Sequence, residues 1–201
     1  LGYVQLANDL YHLSTGLMSQ IGGTIRLADL AIRNYCWYEL GVKVPDWEDR
    51  DTGLSIEGAI VLDPVSGLHK WVMSVDINSL YPSAIMTCNI SPECIVGQFA
   101  SNTLDFQKIK MRSKDNVRLI FEDGNVETKP ACEWAEELVG RSWCISGYGT
   151  VFSMEKMGVI PSILSDWFTK RKHFQKLKKE AKTPEEIAFY DRIQYVYKIK
   201  L

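Results

Sequence analysis

Two groups of residues near the start of the chain are spaced as they would be on one face of a helix. The first is Leu6, Leu10, Leu13 and Leu17, and the second is Leu27, Leu30 and Ala31, followed by Asn34 and Tyr38. Side chains three or four residues apart share a helix face, so the pattern predicts two helices within residues 1–41. Gly22 and Gly23 separate them, and Gly41 is placed to end the second. A polar loop is expected over residues 43–57.

After this loop the pattern changes to one that is typical of β structure. Residues 58–62 and 68–77 are apolar runs separated by the turn-forming residues 63–67, so a hairpin is predicted. Within the second run, residues 71–75 favour a buried strand that ends at Asp76.

The middle of the chain alternates between helix and strand signals. Residues 79–88 are expected to turn into a helix, and residues 89–93 to form a turn around a Ser-Pro pair. Residues 97–150 are mixed, with a turn predicted at residues 122–125.

Residues 161–201 have the pattern of two long helices. The apolar stripe of the first helix consists of Ile163, Trp167, Phe174, Leu177 and Ala181. Ser162 is predicted to cap this helix, and Thr183 and Glu186 form a capping box around Pro184 that starts the next one. Because the connection is very short, an antiparallel helical hairpin is predicted. The fold class predicted for the whole chain is α+β.

Composition and charge exclude several classes of protein. The chain has 201 residues, 46% of them apolar, and a net charge of −2, so net charge alone does not indicate a nucleic-acid binder. It contains no apolar run of about eighteen residues and no signal peptide, so no membrane association is expected. Its five cysteines form no Cys-x-x-Cys pair and indicate reduced intracellular thiols. Both ends look cut, since the chain starts with Leu1 and stops inside a helical pattern, so a fragment of a longer protein is expected.

The first of the two C-terminal helices is basic along one side. Arg171, Gln175, Lys178 and Lys182 form one row, and Lys172, Lys176 and Lys179 form the next. A solvated helix face would explain this pattern. A phosphate site would explain it too, because arginine offers a bidentate fork to phosphate oxygens.

The string Asp76-Ile77-Asn78-Ser79-Leu80-Tyr81-Pro82-Ser83 carries the most chemical information. A carboxylate at a strand end can hold a hard divalent cation, which takes oxygen ligands. The backbone N–H groups of the turn that follows suit phosphate oxygens, and Tyr81 offers a flat wall for a sugar or a base. The alternative is structural, because an Asp at this position is also a common cap or turn former.

This string resembles motif A of family B DNA polymerases, whose signature is D-x-x-S-L-Y-P-S. Residues 168–172 resemble the start of the fingers domain in that family, although Gln175 stands where the family has a second lysine. Residues 194–201 resemble the start of motif B, with Lys198 as the motif lysine.

Three further strings, at residues 57–61, 70–76 and 88–93, are similar to the replicative polymerases of T-even-type tailed phages. One departure is Ile56, which stands where a tyrosine is usual. The resemblance implies a fragment of a right-hand polymerase. Residues 1–56 would be the end of the exonuclease domain with linker helices, residues 57–160 part of the palm, and residues 161–201 the start of the fingers helical hairpin.

The implied activity is template-directed DNA synthesis, in which a dNTP donates a nucleotide to a primer 3′ end. Two Mg²⁺ ions would take part, with the catalytic Asp76 binding metal through its side chain and Ile77 through its carbonyl oxygen. The implied nucleotide-binding residues are Ser79, Leu80, Tyr81, Arg171 and Lys198. Tyr81 would lie under the deoxyribose and reject a 2′-hydroxyl by contact.

The resemblance also implies partners, a location and a limit. Primer–template DNA and dNTP would bind, and a sliding clamp would bind through parts outside this chain; no membrane is involved. The location would be the cytoplasm of a phage host or of a bacterium. The second family carboxylate, in motif C, has no match here, so the fragment is expected to be inactive alone. Two alternatives remain: a non-catalytic nucleic-acid-binding module that uses the basic hairpin, and a structural domain whose acidic strand end is only a turn.

Overall fold

The computed structural model describes residues 24–44, 61–77 and 79–201. Four sequence predictions lie wholly or partly outside the described residues: the helix over residues 6–17, the break at residues 22–23, residues 45–57 of the polar loop and residues 58–60 of the hairpin.

Six α-helices and five strands make up the described parts of the chain. The helices are α1 Thr24–Tyr38, α2 Leu80–Cys88, α3 Thr103–Lys110, α4 Ala131–Gly140, α5 Val159–Glu180 and α6 Pro184–Lys200. The strands are β1 Ile95–Phe99, β2 Asn116–Phe121, β3 Val126–Pro130, β4 Trp143–Ile145 and β5 Thr150–Ser153, and a 3₁₀ turn, Pro92–Cys94, precedes β1. The mixture confirms the α+β class. No helix in these parts is both long enough and apolar enough to cross a bilayer.

The strands form one antiparallel sheet in the order β3-β2-β1-β5-β4. Alternate residues of β2 face a core shared with α3 and α4, in which Trp134 and Phe99 are fully buried. Their rings meet edge to face at 5.5 Å, and the indole N–H of Trp134 donates to the carbonyl of Val117 at 3.1 Å. The predicted turn over residues 122–125 joins β2 to β3, with Gly124 at a φ of 85°.

Gly97 allows β1 and β2 to pair closely. A Cβ atom at this position would collide with the carbonyl oxygen of Ile120 and lie 3.0 Å from the Cα of Phe121. Both neighbours are backbone atoms of the paired strand, so neither can move without distorting the sheet.

We therefore expect Gly97→Ala to lower the free energy of unfolding by about 3 kcal/mol, the upper end of the overpacking range. Urea unfolding followed by circular dichroism measures the change. Gly140→Ala is the matched control, because a Cβ atom there meets nothing within 4 Å. The control should change stability by less than about 1 kcal/mol. Equal effects of the two substitutions would contradict the steric argument.

The two C-terminal helices form the predicted antiparallel hairpin. Phe174 on α5 stacks on Tyr197 of α6 with ring centroids 6.1 Å apart, and the buried Ile163 and Trp167 share a core with Ala31 of α1. The capping box is confirmed: the Thr183 side chain accepts the Glu186 N–H at 3.2 Å, and the Glu186 carboxylate accepts the Thr183 N–H at 3.3 Å.

Two sequence predictions were wrong. Helix α5 begins at Val159, and Ser162 lies inside it, where its hydroxyl donates to the carbonyl of Gly158 at 2.7 Å instead of capping the helix. Residues 61–77 have no regular secondary structure, although residues 68–77 were predicted to be a strand. A strand needs a neighbour that satisfies its backbone groups, and no described strand pairs with this segment. Trp71 is accordingly 99% exposed instead of buried.

The end of α1 agrees with prediction. Gly41 follows the helix with a φ of 66°, and the N–H of Val42 donates back to the carbonyl of Cys36 at 2.9 Å. Gly adopts this left-handed conformation without the penalty that a Cβ atom imposes. Residues 43 and 44 then continue without regular structure, as expected for the start of the polar loop.

Candidate active site

Asp76 and Ile77 lie at the end of the irregular segment 61–77, just before α2. Both side chains are exposed, and 62% of the Ile77 surface is accessible. The Asp76 carboxylate therefore has access to a ligand from solvent. The main chain of Ile77 adopts no regular structure, so no helix or strand ladder occupies its carbonyl oxygen.

Ser79 gives the start of α2 an unusual shape. It adopts the left-handed conformation, with φ 53° and ψ 52°, immediately before the right-handed helix at Leu80. Successive left- and right-handed residues turn their N–H groups to one side and form an anion-binding concavity. The Ser79 side chain makes no capping hydrogen bond, and the helix itself offers the amides of Leu80 and Tyr81 no acceptor. The helix dipole also favours an anion here.

Tyr81 and Pro82 point in different directions from this first turn. The Tyr81 side chain is 76% exposed, which contradicts a role in core packing beside Leu80, itself 51% exposed. Pro82 is buried and has no N–H group, so it fixes the turn without needing an acceptor. Further along α2, Ile85 and Met86 pack against the core that contains α5. The first turn thus presents the Tyr81 ring to solvent and contains amides that have no acceptor within their own helix, while the other end of the helix is anchored in the core.

Arg171 lies on α5 and is partly buried. Its Nε atom is the buried side-chain nitrogen that has no hydrogen-bond partner among the described residues. Leaving a buried donor unpaired costs free energy, so the Arg171 side chain would gain from a change of conformation that gives this N–H an acceptor.

Neighbouring basic residues have partners within the chain. The Lys170 ammonium lies 2.8 Å from a carboxylate oxygen of Asp166, and the Lys178 ammonium lies 2.6 Å from one of Asp191. The Lys172 ammonium lies over the Phe168 ring at 4.3 Å. The basic rows predicted from sequence are thus partly neutralised by contacts inside the hairpin.

Gln175 has a structural use that explains its departure from the polymerase pattern. It lies at the α5–α6 interface, where its amide lies 3.5 Å from that of Gln194. Gln194 in turn donates to Asp191 at 2.9 Å, and hydrogen bonds from Lys178 and Gln194 lower the pKa of Asp191. Lys198, one turn beyond Gln194, is exposed and carries its charge into solvent.

Asp76 is the side chain that the sequence predicts as a metal ligand. No group of three His, Cys, Asp or Glu side chains comes together anywhere in residues 24–44, 61–77 and 79–201. Asp76 is suited to bind a hard cation as one of several oxygen ligands, and further carboxylates would have to come from elsewhere.

Sequence reasoning missed the residues that hold the start of α5. Asn89, Ser91 and Glu93 direct their side chains to the N–H groups at this helix start. The string Asn-Ile-Ser-Pro-Glu contains two common N-cap residue types, Asn and Ser, but the helix that they cap lies far along the chain and no local pattern indicates it.

Comparison with known proteins decides the family. The sequence profile of DNA polymerase family B matches residues 35–200. The chain belongs to this family. The family B match includes the helical hairpin, the sheet and the Asp76–Ser83 string.

Relatives of the family B chain come from several viruses. It is 33% identical to the DNA polymerase of Orf virus over 145 residues, 71% of this chain and 13% of that protein. It is 55% identical to the DNA-directed DNA polymerase of Escherichia phage RB69 over 42 residues, 21% of this chain and 5% of that protein. It is 31% identical to that of Enterobacteria phage T4 over 123 residues, 61% of this chain and 11% of that protein. The predicted similarity to T-even-type phage polymerases is confirmed, and the chain spans about an eighth of the Orf virus protein's length.

Proposed function

We propose that this chain is the part of a DNA-directed DNA polymerase that binds an incoming dNTP and supplies ligands to a metal ion beside the primer 3′ end. The observation that carries the proposal is the left-handed Ser79, three residues after Asp76, because this conformation turns the amides at the start of α2 to one side. Family membership supplies the reaction class.

The residues have separate roles in this proposal. The amides of Ser79, Leu80 and Tyr81 bind the β- and γ-phosphates, where the helix dipole adds attraction. Arg171 and Lys198 neutralise phosphate charge, and the unpaired Nε of Arg171 gains an acceptor. The exposed Tyr81 ring lies against the sugar.

Asp76 and the carbonyl of Ile77 would hold Mg²⁺. Two such ions supply charge neutralisation at the attacking and leaving oxygens of an in-line displacement. Because one carboxylate is too few for two ions, the chain by itself is inactive and needs a second acidic motif from the rest of the polymerase.

The remaining assignments are also proposals. Residues 1–56 belong to the end of the exonuclease domain and its linker, residues 57–160 to the palm and residues 161–201 to the fingers. The parent is a phage-type enzyme that works in the cytoplasm of a phage host or of a bacterium. It binds primer–template DNA through phosphate contacts, and a sliding clamp binds through parts outside this chain.

Arg171→Ala tests this proposal against the alternative of a non-catalytic nucleic-acid-binding module. In the full-length polymerase we expect the KM for dNTP to rise about 10-fold or more, because one charge-assisted contact to phosphate is lost. Primer–template affinity should stay within about twofold, as binding to the duplex is spread over many phosphates. Steady-state incorporation and fluorescence anisotropy measure the two quantities.

Lys176→Ala is the matched control, since it removes one charge from an exposed position on the same helix. It should leave the KM for dNTP unchanged. A loss of primer–template binding in Arg171→Ala without a change in this KM would favour the binding module and contradict the polymerase assignment.

A further inference from the structure

Three side chains from one short loop accept hydrogen bonds from three successive amides at the start of α5, those of the residue before the helix and of its first two residues. The N–H of Gly158 donates to Oδ1 of Asn89 at 2.8 Å, and the N–H of Val159 donates to Oε1 of Glu93 at 2.5 Å. The N–H of Ile160 donates to Oγ of Ser91 at 3.3 Å. A helix is usually capped by its own preceding residue, whereas here the whole cap comes from a distant loop.

The same loop ends α2. Asn89 adopts the left-handed conformation at the C-terminus of that helix, with φ 53°, and its backbone N–H donates to the carbonyl of Ile85. The next amide, of Ile90, donates to the same carbonyl at 2.9 Å. Asn89 therefore terminates α2 through its backbone and starts α5 through its side chain.

We call this connection the Asn89 joint and define it as Asn89, Ser91 and Glu93. Its side chains have little conformational freedom. Asn89 is 3% exposed and Ser91 1%. The amide group of Asn89 also donates to the carbonyls of Ser153 at 2.7 Å and Lys156 at 2.9 Å. A Cβ atom on Gly158 would lie 2.5 Å from the Cβ of Ser91, so the two segments are packed too closely to admit a side chain at Gly158.

Glu93 adds charge to the joint. The hydroxyl of Ser91 donates to its carboxylate at 2.8 Å, and the carboxylate lies at the positive end of the α5 dipole. Burial raises the pKa of Glu93, but hydrogen bonds from the Val159 amide, its own amide and Ser91 outweigh burial and lower it. The ionised carboxylate is thus the form that holds the helix.

The length of α5 magnifies any change at the joint. Arg171 is twelve residues beyond Val159, which is about 18 Å along a helix axis. A tilt of about 10° at the base would move Arg171 by about 3 Å, and misplacement by about 1 Å is enough to cost a hundredfold in a well-aligned site.

We propose that Asn89, Ser91 and Glu93 are positioning residues for nucleotide binding, which set the place of Arg171 relative to the amides of Ser79–Tyr81 by joining the end of α2 to the start of α5. This inference rests on the proposed polymerase function. The joint residues do not touch the nucleotide and act through α5.

The test uses Glu93→Ala in the full-length polymerase. Loss of the cap should raise the KM for dNTP about 10-fold or more, the size expected for displacement of Arg171, while primer–template affinity changes less than about twofold. Glu93→Gln keeps an acceptor oxygen for the Val159 amide, so it should recover most of the loss. Glu155→Ala is the matched control, because this exposed carboxylate lies beside the same helix start without capping it. The control should match the wild type.

A double-mutant cycle separates positioning from a loss of folded protein. If Glu93 acts through Arg171, Glu93→Ala should have little further effect on the KM for dNTP when Arg171 is already Ala. If the two substitutions instead raise the KM for dNTP independently, so that their fold-changes multiply in the double variant, the proposal is wrong. If Glu93→Ala fails to fold, the same cycle is run with Ser91→Ala, which removes the acceptor of the Ile160 N–H at the same helix start. If Glu93→Ala has a normal KM for dNTP while Asp76→Asn is inactive, the positioning role of the Asn89 joint is rejected and the proposed function stands. An active Asp76→Asn would instead reject the proposed function.

Discussion

Asp76→Asn should abolish primer extension by the full-length polymerase. The substitution keeps the size of the side chain but removes the negative charge that a divalent cation requires. A lost metal ligand removes several kcal/mol of transition-state stabilisation, so the rate should fall by about a thousandfold or more. Because Asp76 is exposed and contributes to no core, the fold should be unaffected. Single-turnover extension of a labelled primer in magnesium measures the rate.

Asp63→Asn is the control for this experiment. It makes the same chemical change in the same irregular segment, also at an exposed position, but outside the candidate site. It should extend primers at the wild-type rate. Wild-type extension by Asp76→Asn would reject Asp76 as a metal ligand, and a loss of DNA binding by Asp76→Asn would show that its role is not catalytic.

Tyr81→Ala should relax discrimination against ribonucleotides. If the ring contacts the C2′ position, its removal opens space for a 2′-hydroxyl, and the ratio of kcat/KM for ribonucleotides to that for deoxyribonucleotides should rise about 10-fold or more. The 76% exposure of the side chain means that truncation removes little buried surface, so stability should be nearly unchanged. The measurement uses active-site titration, so that unfolded protein cannot mimic the effect.

Tyr81→Phe provides the matched comparison, since it keeps the ring and removes only the hydroxyl. It should discriminate between the sugars as the wild type does. An unchanged ratio in Tyr81→Ala would remove Tyr81 from the site, while a parallel loss of activity toward both sugars would indicate a packing role.

Elements with local signals were predicted well. The capping box at Thr183 and Glu186 and most of the apolar stripe of α5 depend on residues a few positions apart, so local patterns indicate them. The helix after Ser79 and the glycine after α1 are of the same kind. Local chemistry specifies these elements whatever surrounds them. Ala181 was predicted to belong to the stripe, but the helix ends one residue earlier, at Glu180.

Elements that depend on distant partners were not predictable. The apolar run at residues 68–77 has the composition of a strand, but pairing is a property of two segments, and none of the described strands pairs with this run. One of the side chains that cap α5 is Glu93, which accepts a hydrogen bond from the amide of Val159, 66 residues later in the chain. The left-handed conformation of Ser79 was not predictable either, because a non-glycine residue adopts that conformation only when its surroundings enforce it.

The Asn89 joint also has a consequence for how such proteins vary over evolution. The chain leaves the helical part at Asn89 and returns at Gly158, whose amide nitrogen lies 2.8 Å from Oδ1 of Asn89. Between these two residues lie a sheet and two helices with a core of their own. Because both ends of this insert are fixed at one point, residues can be gained or lost in turns away from the joint, such as the β4–β5 turn at residues 146–149, without moving α2 or α5. Lineages of this family can therefore change the size of the insert while keeping the spacing between the helices.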